Sequence, residues 1–159
     1  MYDFANSAFT TLVVTFVYAA FFTKGIALDE TSGTKLWSMG ITISAVIIAL
    51  LSPFMGAMAD RGGYRKRYLA IATIICIAAT TVLFFPQKGQ VYFAMTVFII
   101  ANVAFEMANV FYNAFLPDIA PPDRIGRVSG TGWALGYIGG LLCLVAGLVL
   151  FIQPDPALF

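Results

Sequence analysis

Apolar residues fill five long stretches of this 159-residue chain, and short polar segments separate them. An α-helix of about 20 residues crosses the roughly 30 Å hydrocarbon core of a membrane. The pattern therefore predicts an all-α polytopic membrane helix bundle with about five transmembrane helices, at residues 2–22, 36–59, 68–85, 91–116 and 129–152. Residues 24–35 are predicted to form a loop, and Pro86 and Pro117 to end the third and fourth helices.

The fourth predicted helix carries a polar stripe with spacings of four, three and four residues, formed by Asn102, Glu106, Asn109 and Asn113. At about 100° per residue these side chains share one face of the helix. A polar group that faces hydrocarbon without partners is costly, so the stripe must face other helices or a water-filled cavity. We interpret this stripe as the lining of a solute path.

Two roles for the polar stripe remain open from the sequence. In the first role, its members form hydrogen bonds to neighbouring helices, each of which contributes about 1 kcal/mol. In the second role, Glu106, which Asn102 and Asn109 flank about one helical turn away on either side, binds a polar solute or carries a proton. The chain contains no His, so proton transfer inside the membrane would fall to carboxyl groups. A non-transporting scaffold or regulatory subunit with the same fold is the alternative function, and it predicts that Glu106→Gln leaves solute flux unchanged.

Polar residues of the first helix and glycines of the fifth helix are two further sets of candidate residues. Asp3 and Asn6 lie near the start of the first helix, where they either cap its first turn or line a gate or cavity. Small residues recur every four positions on the fifth helix, at Gly132, Gly136 and Gly140. This spacing predicts a smooth face at which another helix packs closely.

The composition agrees with a membrane protein and excludes several other classes. Hydrophobic residues make up 60% of the chain and charged residues 11%, whereas a soluble domain has about a quarter charged. The net charge of +1 gives no reason to expect a nucleic-acid partner. Neither a Ser–His pair, a metal-ligand cluster nor paired carboxylates on one span is visible, so we expect no enzyme activity, cofactor or metal.

Basic residues are distributed unevenly between the predicted loops. Those after the second and fourth helices hold six, namely Arg61, Arg65, Lys66, Arg67, Arg124 and Arg127. Those after the first and third helices hold three, namely Lys24, Lys35 and Lys88. Since Lys and Arg concentrate in cytoplasmic loops, this count predicts a cytoplasmic N-terminus.

The loop after the second helix resembles the signature loop of the major facilitator superfamily. The positions that match are Gly56, Asp60, Arg61, Gly63, Arg65 and Lys66, whereas Tyr64 occupies a place that is often basic. In that family the loop is a cytoplasmic latch between the two halves of a transporter. The resemblance therefore implies a conformational role for this loop and no solute contact.

Three more blocks resemble one branch of that superfamily, the vacuolar effluxers linked to autophagy and their bacterial relatives: Tyr2–Phe9, Phe111–Asp118 and Arg127–Tyr137. The resemblance implies a secondary active transporter of two six-helix halves that moves a small polar solute, such as an amino acid, by alternating access. Residues 1–159 would form part of the N-terminal half and pair with a missing C-terminal half. The expected location is the bacterial cytoplasmic membrane, or the vacuolar membrane in a eukaryote. The fourth helix departs from many proton-coupled members, because it has Glu106 and no Arg.

Overall fold

The computed structural model describes residues 2–60 and 63–152, which form helices and the turns that join them. The α-helices are α1 (Tyr2–Ala8), α2 (Val17–Phe21), α3 (Glu30–Asp60), α4 (Arg65–Val82), α5 (Val91–Asn113), α6 (Leu116–Ile119) and α7 (Ile125–Gly147). Three shorter π-helical segments are Phe9–Thr15, Phe22–Ile26 and Leu148–Ile152. No strand occurs within these described ranges, so the predicted all-α fold is confirmed.

The chain divides into two compact units. One combines the described residues up to Ala19 with those between Ala120 and Ile152, and in it α1 and the π-helical segment Phe9–Thr15 pack against α7. The other runs from Ala20 to Ile119, and in it α5 packs against both α3 and α4. Helix α5 is therefore the central helix of the second unit.

In the part of the chain that the structure describes, four helical stretches are long and apolar enough to cross a membrane: Tyr2–Ile26, Glu30–Ala59, Val91–Ile119 and Ile125–Leu150. They correspond to four of the five predicted spans. The remaining predicted span, 68–85, is the helix α4, which has 18 residues and ends at Val82. Its first turn contains three basic residues, Arg65, Lys66 and Arg67, which lower its apolar character.

The predicted loop at residues 24–35 is wrong, because only residues 27–29 separate the two helical stretches. Asp29 explains the early start of α3, since its Oδ1 accepts a hydrogen bond of 2.8 Å from the backbone N–H of Ser32. This is an N-cap interaction, which satisfies a backbone donor in the first turn. The hydrogen bonds from Ser32 lower the pKa of the exposed Asp29 carboxyl group.

The other helix ends also differ from the predicted positions. The sequence predicts a single helix that ends at residue 116. Helix α5 instead ends at Asn113, and the short helix α6 follows it and contains Pro117. Helix α7 begins at Ile125, four residues before the predicted start at residue 129. Its first turn contains Arg127 and follows the polar, proline-containing segment with Pro121 and Pro122, so the helix begins before the long apolar run that hydropathy detects.

The first membrane-spanning stretch is interrupted, whereas the sequence predicts one helix. It changes to π-helical geometry over Phe9–Thr15, and Phe16 ends that segment with φ −113° and ψ −71°. The hydroxyl of Thr15 donates to the carbonyl oxygen of Thr10 at 2.8 Å, five residues earlier. This segment is rich in β-branched residues, which crowd a regular α-helix at χ1.

Candidate functional site

Helix α5 presents its apolar face to its neighbours, and the polar stripe runs along one edge of that face. The buried residues of α5 are Val91, Ala94, Met95, Val97, Phe98, Ala101, Ala104, Phe105, Met107, Ala108 and Phe111. On the side of α3, Trp37 contacts Phe98 with a ring-centroid distance of 4.2 Å. On the side of α4, Tyr68 stacks on Phe111 at 5.3 Å. These contacts define the rotation of α5 between α3 and α4.

Asn102 binds α3 directly. Its Nδ2 donates a hydrogen bond of 2.9 Å to the Oγ of Ser44. The Ser44 hydroxyl in turn donates to the carbonyl oxygen of Ile41 at 2.8 Å, and Ser44 is fully buried. Asn102 therefore makes a helix–helix contact, which is one of the two roles that the sequence left open, and its partner on α3 is Ser44.

Glu106 and Asn109 form the second part of the stripe. Both side chains are half-buried, and the Asn109 side chain hydrogen-bonds the Glu106 carboxyl group. Among the described residues no basic side chain pairs with Glu106, since the ion pairs join Lys24 to Glu30, Arg65 to Asp118 and Arg124 to Asp123. This carboxyl group therefore retains acceptor capacity for a ligand or a proton.

The remaining predicted stripe and cavity residues are Asn113, Asp3 and Asn6. Asn113 is the last residue of α5 and its side chain is exposed. Asp3 and Asn6 are half-buried on α1, in the other compact unit. The structure thus brings Asn102, Glu106 and Asn109 onto adjacent turns of one helix face.

Arg65 is the central residue of the predicted latch loop. Its Nε donates to the carbonyl oxygen of Ala59 at 2.7 Å, and its Nη1 donates to the carbonyl oxygen of Ala114 at 3.0 Å. The same Nη1 forms an ion pair of 2.7 Å with Asp118. One guanidinium therefore joins the C-terminal ends of α3 and α5 to the start of α4, and we call these contacts the Arg65 clamp.

The other predicted latch residues have fewer described contacts. A Cβ on Gly56 or Gly63 would meet no atom within 4 Å, and Lys66 is exposed. Asp60 is the last residue of α3, and Arg61 lies outside the described residues. Asp118 was not predicted, although its position after the fourth span places it at the same end of the bundle as the basic loop.

The predicted glycine face on α7 lies against α1. A Cβ built on Gly136 would lie 2.5 Å from the Oγ of Ser7, and one on Gly140 would lie 2.5 Å from the Oγ1 of Thr11. Gly139, which the four-residue spacing passes over, makes the closest approach, to the carbonyl oxygen of Phe4. The third predicted glycine, Gly132, is half-buried.

Apolar helices of membrane-spanning length that shelter polar side chains define an integral membrane protein. Within the described ranges no cluster of His, Cys, Asp or Glu is arranged to hold a metal ion. The chain matches the family described as vacuole effluxer Atg22 like over residues 24–157 and belongs to that family, within the major facilitator superfamily. The resemblance inferred from the sequence motifs is therefore confirmed.

Several curated relatives support this assignment. The MFS-type transporter YxiO of Bacillus subtilis, itself uncharacterized, is 31% identical over 155 residues, which are 96% of this chain and 36% of the relative. Autophagy-related protein 22 of Yarrowia lipolytica is 30% identical over 105 residues, 66% of this chain and 17% of the relative. A D-xylose transporter of Levilactobacillus brevis is 30% identical over 111 residues, 64% of this chain and 24% of the relative.

These comparisons define the class of protein and cover only part of each relative. The chain spans about a third or less of the length of these relatives. No solved structure matches it. The family, and those relatives that are named for an activity, are transporters and not enzymes.

Proposed function

We propose that this chain is part of a secondary active transporter that moves a small polar solute across the membrane by alternating access. The observation that carries the proposal is the Glu106–Asn109 pair, which is half-buried on the central helix of the second unit and whose Glu106 carboxyl group has no ion pair with a described basic side chain. A carboxyl group at membrane depth is expensive to retain, and such groups mark solute or proton paths.

The chemistry of this pair suits a solute that carries hydrogen-bond donors. The Glu106 carboxylate accepts hydrogen bonds and attracts an ammonium group, while the Asn109 amide both donates and accepts. Amino acids present both kinds of group and are the first solute class that we propose. When no solute is bound, a proton on Glu106 would neutralise the carboxylate, which provides a route to proton coupling.

The Arg65 clamp supplies the conformational part of the proposal. Alternating access requires contacts that hold one conformation and then release, and the Asp118 side chain is 57% exposed, so water can replace it. The excess of Lys and Arg in the same loop supports a cytoplasmic location for the clamp. The second half of such a transporter would then be its partner, and the bacterial cytoplasmic membrane its location.

Flux measurements in proteoliposomes with the complete gene product test this function. The variants are Glu106→Gln, which keeps the shape of the side chain, and Asn109→Ala. Thr96→Ala is the matched control on the same helix, since Thr96 is exposed and its hydroxyl donates to the carbonyl oxygen of Tyr92 at 2.8 Å. The solutes are a neutral amino acid, a cationic amino acid and D-xylose, each with and without a pH gradient.

We expect Glu106→Gln to reduce flux of the transported solute by about tenfold or more, because it removes a charge-assisted hydrogen bond. Asn109→Ala should reduce flux less, and Thr96→Ala should leave it unchanged. Loss of the response to a pH gradient in Glu106→Gln supports proton coupling. Normal flux in a folded Glu106→Gln protein contradicts a solute or proton role and favours the scaffold function.

A further inference from the structure

We infer that Ser44 on α3 has a positioning role in the solute site. Its hydroxyl oxygen accepts a hydrogen bond from the Asn102 amide and so prevents that amide from donating to the Glu106 carboxylate. This inference rests on the proposed function of Glu106. It concerns a residue on a different helix from the polar stripe, and it predicts an effect on solute affinity that loss of helix packing alone would not produce.

The hydrogen-bond directions around Ser44 are fixed by chemistry. Ser44 has a single hydroxyl proton, which it donates to the carbonyl oxygen of Ile41 at 2.8 Å. Its oxygen can therefore only accept from Asn102, whose Nδ2 lies 2.9 Å away. Ser44 is 0% exposed, so no water replaces either partner. The Asn102 amide is consequently oriented towards α3 by a buried acceptor.

The same amide lies one helical turn from Glu106. Side chains four residues apart on a helix have Cβ atoms about 5–6 Å apart and interact directly. An Asn102 side chain released from Ser44 has an Nδ2 donor to satisfy, and Glu106 is the acceptor one turn further along the same face. The carboxylate already receives a hydrogen bond from Asn109. A second internal donor would then compete with the donors of a bound solute.

A purely structural role for Ser44 makes a different prediction. If Ser44 only joins α3 to α5, then removing either Ser44 or Asn102 breaks the same hydrogen bond. The two single variants and the double variant would all lose the same interaction. In the positioning role, Ser44→Ala creates a competing donor, whereas Asn102→Ala does not.

The experiment measures the concentration dependence of solute flux for four proteins in proteoliposomes: Ser44→Ala, Asn102→Ala, the double variant and Thr42→Ala. Thr42 is the matched control on α3, because it is exposed and its hydroxyl donates to the carbonyl oxygen of Ser38 at 2.8 Å. The solute is the one that the Glu106→Gln comparison identifies. For each protein the KM and the maximal rate are determined separately.

We expect Ser44→Ala to raise the KM by about three- to tenfold with little change in the maximal rate, which corresponds to competition by one hydrogen bond. Asn102→Ala and the double variant should share a KM closer to that of the parent, and Thr42→Ala should match the parent. If Ser44→Ala fails to fold, Ser44→Cys takes its place, because the thiol is only slightly larger than the hydroxyl and is a weaker acceptor.

Two results overturn the inference and leave the proposed function intact: a Ser44→Ala protein with the KM of the parent, or a double variant whose KM is as high as that of Ser44→Ala. Both would occur alongside a Glu106→Gln protein that has lost flux. Normal flux in Glu106→Gln removes the proposed function itself, so the two failures are distinguishable.

Discussion

The α1–α7 pair and the α3–α5 pair are held together by contacts of different kinds. In the first pair, the α7 glycines Gly136, Gly139 and Gly140 approach the backbone and short side chains of the first helical stretch. In the second pair, side chains interlock, with Trp37 against Phe98 and Asn102 bonded to Ser44. One interface depends on the absence of side chains, and the other depends on their identity.

This difference determines what each interface can do. A glycine face offers close backbone contact but no hydrogen-bonding side chain, so it fixes distance more than register. The α3–α5 interface contains directional hydrogen bonds, which fix register and leave polar groups available beside them. The candidate solute residues Glu106 and Asn109 accordingly lie next to the second kind of interface.

The largest effect is expected for Gly139→Ala in the glycine interface. Its Cβ would collide with the carbonyl oxygen of Phe4, a backbone atom that moves only if the helices separate. Overpacking of this kind costs about 1–3 kcal/mol, and backbone contact places this variant at the upper end. The measurement is the midpoint of thermal unfolding in detergent, followed by circular dichroism.

Gly130→Ala is the control for this variant on the same helix. A Cβ at Gly130 would meet no atom within 4 Å. Because Ala favours the helix over Gly by about 1 kcal/mol, we expect Gly130→Ala to unfold at an equal or higher temperature than the parent. Equal unfolding temperatures for the two variants would mean that the α1–α7 contact contributes little.

Arg65→Ala is the corresponding test at the end of the α3–α5 interface, and its expected effect is smaller. The substitution removes two hydrogen bonds to the carbonyl oxygens of Ala59 and Ala114 and the ion pair with Asp118. We expect a loss of about 1–2 kcal/mol, most of it from the carbonyl groups, because the ion pair is solvent-screened. Thermal unfolding and solute flux are measured on the same samples.

Asp118→Asn separates the parts of this clamp. It removes the charge of the partially exposed partner and leaves the two carbonyl contacts in place, so we expect a change of about 0.5 kcal/mol or less. Flux should change in Asp118→Asn if release of the ion pair accompanies transport. A stability loss as large as that of Arg65→Ala would contradict the dominance of the carbonyl contacts.

Much of this architecture was predictable because hydropathy and spacing are local properties of the sequence. Long apolar stretches predicted the helices, and the spacing of Glu106 and Asn109 placed both on one face of α5. The four-residue period of Gly136 and Gly140 predicted the helix face that lies against α1.

The missed features depend on how one helix is rotated against another. Ser44 and Asn102 are 58 residues apart in sequence, and apolar positions surround both. Hydropathy therefore does not indicate which residue of α3 lies opposite Asn102. The Arg65 contacts with Ala59 and Ala114 use backbone carbonyls, which every residue has and no motif records. The π-helical segment Phe9–Thr15 likewise retains an apolar pattern compatible with an α-helix.

The smallest effect is expected for Gly40→Ala, which places a glycine substitution in the interface built from side chains. A Cβ at Gly40 would lie 3.1 Å from the Cγ of Met95, whose flexible side chain can move aside. The gain in helix propensity of about 1 kcal/mol should offset most of this contact, so the unfolding midpoint should stay near that of the parent. Comparing this variant with Gly139→Ala tests whether an interface accepts an added methyl group when the nearest atom belongs to a flexible side chain and rejects it when that atom belongs to the backbone. A loss in Gly40→Ala equal to that in Gly139→Ala would show that both interfaces are equally intolerant, because the Met95 side chain would then be as fixed as the Phe4 carbonyl group.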